Sequence, residues 1–216
     1  MKTNIHIFHH ALTEAMLQAS LPDILAQVPD YMHDRASRYK SKRSAFNYLQ
    51  GRSLMSQGLQ HLGKQTDLSQ MSYLPNGKPI LTDIAFNISH SQRLAVCALS
   101  SIGEIGIDVE CKKQLHLPHL KQNFTESEWE AIQTDPSYPD LFYKLWCRKE
   151  SIIKASGKTL AELHKLHLDP LISHVQFDAQ DWHLTDLSFT EDCYGALCTK
   201  HPVDSIEYIS CNMDWI

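Results

Sequence analysis

The hydrophobic pattern of this chain changes period repeatedly, from helical to strand-like and back again, and that order restricts the folds open to it. Leu12 to Ile24 and Ser44 to Leu62 carry apolar residues at helical spacing, the second with Phe46, Leu49, Leu54, Leu59 and Leu62 on one stripe and Gly63 at its end. From Met71 the pattern breaks into short apolar runs between turn residues: Met71 to Leu74, the Pro75-Asn76-Gly77 turn, Pro79 to Leu81, Phe86 to Ser89, Leu94 to Leu99 and Glu104 to Glu110. A second helical zone opens at Thr125, where Thr125 and Glu128 have capping-box spacing. A longer helix runs from Asp140 to Ser156 and stops at Gly157. His174 to Phe177, Trp182 to Phe189, Tyr194 to Thr199 and Ser205 to Ser210 then read as strands. Helices followed by strands, twice over, predicts an α+β protein of two similar halves that meet near residues 100 to 110.

A chain of 216 residues has room for two such halves and a real core. Lys plus Arg 20 against Asp plus Glu 25 gives a net charge of -5, which argues against wrapping nucleic acid by bulk charge. No nucleic-acid partner is expected. No apolar window is long enough to span a membrane, and Met1 to His10 lacks the pattern of a signal peptide. The expectation is a cytoplasmic protein whose six cysteines, at 97, 111, 147, 193, 198 and 211 with no CxxC pair, are free thiols. Thirteen histidines are scattered, and taken singly each reads as an ordinary surface or core residue.

Chemistry concentrates in three places. Gly106-Ile107-Asp108-Val109-Glu110 alternates strictly, so on a strand Ile105, Ile107 and Val109 face one side while Asp108 and Glu110 project from the other. Two like charges so placed repel unless a cation lies between them, and oxygen ligands on a rigid strand suit Mg²⁺. A solvated edge explains the pentapeptide alone at least as well. The Asp140 to Ser156 helix shifts the balance. Its apolar arc is Leu141, Phe142, Leu145, Trp146, Ile152 and Ile153, with Glu150 and Lys154 one turn apart just beyond the edge. Lys149 falls inside the arc, so its ammonium must snorkel out or find an anion. The third place is Arg35 to Arg52, which holds Arg35, Arg38, Lys40, Lys42, Arg43 and Arg52 with no acidic residue. Lys78 follows in a Gly77 turn, and Phe86 to Ser91 adds hydroxyls and an imidazole.

These residues resemble the larger, surfactin-type class of 4'-phosphopantetheinyl transferases. The matching segments are KRSAFNYLQGR (42 to 52), NGKPIL (76 to 81), FNISHS (86 to 91), GIDVE (106 to 110), FTESEWEAI (124 to 132) and FYKLWCRKESIIKASG (142 to 157). They stand in the family's order and cover roughly residues 35 to 168. GIDVE with a later WxxKExxxK is specific to the family. The resemblance implies a monomeric, single-chain pseudo-dimer of α+β halves with antiparallel sheets and the active site in the cleft between them. Residues 1–103 would form the half that contacts the phosphates of coenzyme A, and 104–216 the half with the metal site and catalytic helix.

The implied reaction moves the phosphopantetheine arm of coenzyme A to a serine of an apo acyl or peptidyl carrier protein, with Mg²⁺, and releases 3',5'-ADP. Asp108, Glu110 and Glu150 are the implied metal ligands. Glu150 is also the residue implied to take the serine proton, directly or through water, and Lys154 to neutralise the pyrophosphate. Arg43, Arg52, Lys78, Ser89, His90 and Lys149 complete the implied coenzyme A contacts. Arg43 and Arg52 fit the enterobactin-type and animal members better than the surfactin-activating protein. Carrier docking is expected between Lys112 and Phe124. Two other readings use the same residues: a Mg²⁺-dependent diphosphate hydrolase or nucleotidyltransferase, and a non-catalytic module that binds coenzyme A or a carrier. The second has no need of the carboxylates with Lys154.

Overall fold

A computed structural model describes residues 2–64, 67–74, 76–113 and 117–213 of the chain. The first element is a strand absent from the sequence reading, β1 (Asn4–Ala11), in which His6, His9 and His10 interrupt the apolar alternation. The helix expected from Leu12 to Ile24 is instead two short ones, α1 (Glu14–Gln18) and α2 (Leu21–Leu25). Thr13 and Ser20 each cap one of them, and Pro22 in the first turn of α2, lacking an N–H, starts a helix but cannot continue one. After α3 (His33–Ser37), Ser41 caps the twenty-residue α4 (Lys42–His61), whose Phe46, Leu49, Leu54 and Leu59 are buried.

The short pair β2 (Ser72–Tyr73) and β3 (Pro79–Ile80) flanks the expected turn, where Gly77 has φ +85°; Pro75 lies outside the described residues. Strands β4 (Ala85–Ser91), β5 (Leu94–Ser100) and β6 (Ile105–Cys111) follow. The capping box is formed: Thr125 accepts from the backbone N–H of Glu128 at the start of α5 (Glu126–Thr134), and Glu128 accepts from that of Thr125. Then come α6 (Asp140–Ser156), ended by Gly157 at φ +68°, and strands β7 (His174–Phe177), β8 (Gln180–Thr190), β9 (Cys193–Thr199) and β10 (Ser205–Ser210).

The strands form two four-stranded sheets, ordered β10-β1-β5-β4 and β6-β9-β8-β7, all antiparallel except for the parallel pair β1 and β10. One apolar cluster lies between α4 and the first sheet, around Phe8, Phe46, Leu54 and Leu99. Another lies between α6 and the second, around Phe142, Ile152, Trp182 and Cys198. A third joins the facing sides of the sheets through Ile5, Ile7, Val96, Ile107, Val109 and Leu197. The layers therefore run helix, sheet, sheet, helix, an α+β architecture.

Two expectations change. A boundary at 103/104 does not separate the sheets, because β10 returns to the first sheet, paired from Asn4↔Ser205 to His9↔Ser210. Its side chains and those after it, Ile209, Cys211 and Met213, pack into the first core. And the cysteines are not all free: Cys111 and Cys193, opposite each other on β6 and β9, form a disulfide, leaving Cys97, Cys147, Cys198 and Cys211 as buried thiols. Local patterns carry no signal for either pairing, since both join residues far apart in sequence.

Candidate active site

Strand β6 lies between β4 and α6, and its two faces have different partners. Ile105, Ile107 and Val109 are buried in the cluster between the sheets. On the other face Asp108 is 3% exposed and Glu110 is half-buried. Beside β6, alternate side chains of β4 cross the gap to its backbone. Asn87 Oδ1, Ser89 Oγ and Ser91 Oγ accept from the N–H groups of Ile107, Val109 and Cys111 at 2.9, 3.2 and 3.0 Å. Each serine then donates to the carboxylate one residue back: Ser89 to Asp108 Oδ1 at 2.8 Å, Ser91 to Glu110 Oε2 at 2.7 Å. One set of polar residues thereby joins the two sheets and aims both carboxylates.

Helix α6 crosses β6 at Gly106, where a Cβ would stand 2.1 Å from the Ser151 carbonyl oxygen and 2.4 Å from the Ala155 nitrogen. Only glycine permits that approach. The approach brings Lys154 Nζ to 2.6 Å from Asp108 Oδ1 and 3.0 Å from Ser89 Oγ, with Glu150 Oε2 at 3.9 Å. Burial alone would lower the pKa of the Lys154 ammonium, but Asp108 and Glu150 outweigh it and hold the value above that of an ordinary lysine. Glu150 is pushed up to about 7 by burial first, then by Asp108 and Glu110, against the pull of Lys154. Lys113 Nζ stands 3.5 Å from Glu110 Oε2, so three carboxylates share two ammonium groups and an excess of negative charge remains. Asp108 Oδ2 is buried and has no hydrogen-bond partner among the described residues. An orphaned carboxylate oxygen beside two further carboxylates is a donor set that fits Mg²⁺.

Two cavities flank this centre. One of about 440 Å³ is lined by Asn76, Lys78, Asn87, Glu150, Lys154 and Lys158, among others. The other, of about 140 Å³, is lined by Glu110, Lys113, Leu120, Phe142, Tyr143 and Trp146. Glu150 thus borders one and Glu110 the other.

The basic residues divide. Lys78 reaches α6 and donates to the carbonyls of Lys154 and Ala155 at 2.6 and 2.8 Å, satisfying the helix's last turn, while burial holds its pKa below the ordinary lysine value. His90 sits beside Asn47 Nδ2 at 3.2 Å, and its pKa is lowered by desolvation, by Lys154 and by Arg43. Arg52 is elsewhere: on another face of α4 it is buried with Met55 and Met71, and its guanidinium lies over Tyr48, in a cavity shared with Tyr31, Arg35 and Tyr73. The expected grouping of Arg52 with the other phosphate contacts does not form.

Lys149 also departs from expectation. It is fully buried, 2.7 Å from Glu128 Oε2, with the carbonyls of Asn123, Leu163 and Leu166 completing its hydrogen bonds. The ammonium inside the apolar arc has found an anion, the capping glutamate of α5, and so ties α5 to α6 rather than facing a cavity. Of the expected docking segment between Lys112 and Phe124, residues 114–116 lie outside the described residues. Sequence reasoning missed Asn87, Ser91 and Gly106. The signal for the first two was present as polar residues at every second position of β4, matching the carboxylates at every second position of β6.

Residues 104–201 match the family model of the 4'-phosphopantetheinyl transferase superfamily. The chain is 28% identical to 4'-phosphopantetheinyl transferase HetI of Nostoc sp., over 91% of this chain and 88% of that protein. It is 34% identical to 4'-phosphopantetheinyl transferase Sfp of Bacillus subtilis, over 68% of this chain and 66% of the relative. Its identity to 4'-phosphopantetheinyl transferase AcpT of Escherichia coli O157:H7 is 29%, over 75% and 81%.

Proposed function

The chain belongs to the 4'-phosphopantetheinyl transferase superfamily, enzymes that transfer phosphopantetheine from coenzyme A to a carrier protein, and from its site we propose how it performs that transfer. The observation that carries the reading is the placement of Asp108, Glu110, Glu150 and Lys154 between two cavities of different character. The nucleotide end of coenzyme A fits the larger cavity, which has three lysines, Lys78, Lys154 and Lys158, on its walls. The pantetheine arm fits the smaller one, with its Phe142, Tyr143 and Trp146 walls. The pyrophosphate between them then lies at the carboxylates. The two sheet-and-helix halves form a pseudo-dimer with this cleft at their junction, and the enzyme works as a cytoplasmic monomer.

Asp108, Glu110 and Glu150 would hold Mg²⁺, which when bound supplies the charge neutralisation that attack on a phosphoanhydride requires. Ser89 and Ser91 fix the rotamers of the first two carboxylates. Lys154 offsets charge on the phosphates as the bond breaks. The carrier serine oxygen bonds to phosphorus, the P–O bond to 3',5'-ADP breaks, and the serine proton passes to the Glu150 carboxylate directly or through water. Lys78, on the wall of the larger cavity, would meet the coenzyme A phosphates, and His90 with Arg43, whose charge reaches it, would take the 3'-phosphate. Arg52 and Lys149 hold the fold.

Incubation with coenzyme A, Mg²⁺ and an apo carrier protein tests the reading. A mass gain on the carrier equal to the phosphopantetheine arm, dependent on Mg²⁺, is expected. Hydrolysis of coenzyme A without carrier would instead support the diphosphate hydrolase, and binding without turnover the non-catalytic module.

A further inference from the structure

The fold brings together two of the thirteen scattered histidines, His6 and His61, with a carboxylate. His6 on β1 stands opposite Glu207 on β10 in the parallel register, with its Nδ1 3.0 Å from Glu207 Oε2. His61 ends α4; its ring is 6.3 Å from that of His6 and meets Phe8 edge-on at 5.6 Å. The helix end comes this close because residue 58 is glycine: a Cβ there would stand 2.5 Å from Leu99 Cδ1 and 2.9 Å from the Phe8 ring. One ligand atom from each of His6, His61 and Glu207 lies within 4.8 Å of the others.

We propose that His6, His61 and Glu207 form a binding site for a transition-metal dication of the zinc class, at the sheet edge opposite β4 and separate from the carboxylates of β6. Two imidazoles and one carboxylate suit Zn²⁺, Co²⁺ or Ni²⁺, whereas Mg²⁺ takes oxygen ligands. Metal bonds of about 2.0–2.2 Å in a tetrahedral shell put neighbouring ligand atoms about 3.4 Å apart. His6 and Glu207 stand 3.0 Å apart and all three ligand atoms lie within 4.8 Å of one another, so side-chain rotation closes the shell. His61 and Glu207 are exposed, which leaves the position open to an ion and a fourth ligand from water. The site also lies at the C-terminal end of α4, where the helix dipole favours a cation. A bound ion would fasten α4, β1 and the returning β10 to one another, stabilising the folded chain by mass action.

Titration of the untagged full chain with ZnCl₂ in excess MgCl₂ tests this, with calorimetry for stoichiometry and thermal unfolding for linkage. One equivalent of zinc and a raised Tm are expected. His61→Ala and Glu207→Gln, both at exposed positions, should each weaken binding at least about tenfold and remove the Tm shift, while carrier modification in Mg²⁺ is unchanged. A parent chain that binds no stoichiometric zinc, or variants that both titrate like the parent, would overturn the site.

Discussion

Lys154 Nζ lies 2.6 Å from Asp108 Oδ1, across the contact between α6 and β6. The pair leaves Asp108 with one oxygen engaged and the other without a partner among the described residues. Asp108→Ala is expected to abolish carrier modification, and Glu150→Gln to do the same, while circular dichroism stays native-like. Full activity in either variant would sink the assignment of the carboxylates.

Ser91 is expected to act through Glu110. Its hydroxyl holds the carboxylate and also satisfies the buried N–H of Cys111. In Ser91→Ala the apparent affinity for Mg²⁺ should fall about 10- to 100-fold, with a stability loss of about 1–3 kcal/mol from the unpaired N–H. Measuring rate against Mg²⁺ concentration separates the two effects, because a purely structural role would lower Tm and leave the Mg²⁺ dependence unmoved.

In the metal-free protein Glu150 should make stability fall as pH rises. Its carboxyl is pushed from 4.5 up to about 7 by burial, Asp108 and Glu110, with Lys154 opposing. The unfolded chain therefore releases this proton first, so stability declines from the ordinary carboxylate range to about pH 7 and is level above it. Glu150→Gln removes that slope and should stabilise the metal-free protein at pH 8 by up to about 3 kcal/mol, several degrees in Tm. A denaturant series at several pH values in chelator checks both, and an unchanged slope in the variant would reject the burial of this charge.

Arg43 and Arg52 should separate by readout. Arg43→Ala, which removes a charge that acts on His90, is expected to raise KM for coenzyme A and to spare dephospho-coenzyme A, which lacks the 3'-phosphate. Arg52→Ala, which empties a buried position among Met55, Met71 and Tyr48, should lower Tm with similar effects on both substrates. The reverse pattern would return Arg52 to the phosphate.

What the sequence made legible was what short-range order controls. The strand at Gly106 to Glu110, the capping box at Thr125 and the helix stopped by Gly157 follow from period and from cap chemistry. Lys149 was legible as a problem, an ammonium in an apolar arc, but not as its solution, because Glu128 is brought to it only by the packing of α5 on α6. Gly106 looked like a strand residue until α6 lay across it. The pairings of β1 with β10 and of Cys111 with Cys193 depend on contacts between distant segments, which no local window contains.

The parallel pairing of β10 with β1 also bears on the order of events during synthesis. Residues 4 to 11 emerge early, yet one edge of their strand stays open until residues 205–210 have been made. The first sheet is thus completed only after the second is made, and a ribosome-bound chain holds an unpaired edge while the residues between the two strands are synthesised, a template for wrong partners. The same closure sets Thr3 beside Asp204, its N–H 2.6 Å from the carboxylate. Because the two strands run parallel from Asn4↔Ser205 to His9↔Ser210, no tight turn could join them, and their pairing depends on the whole of the chain folded in between.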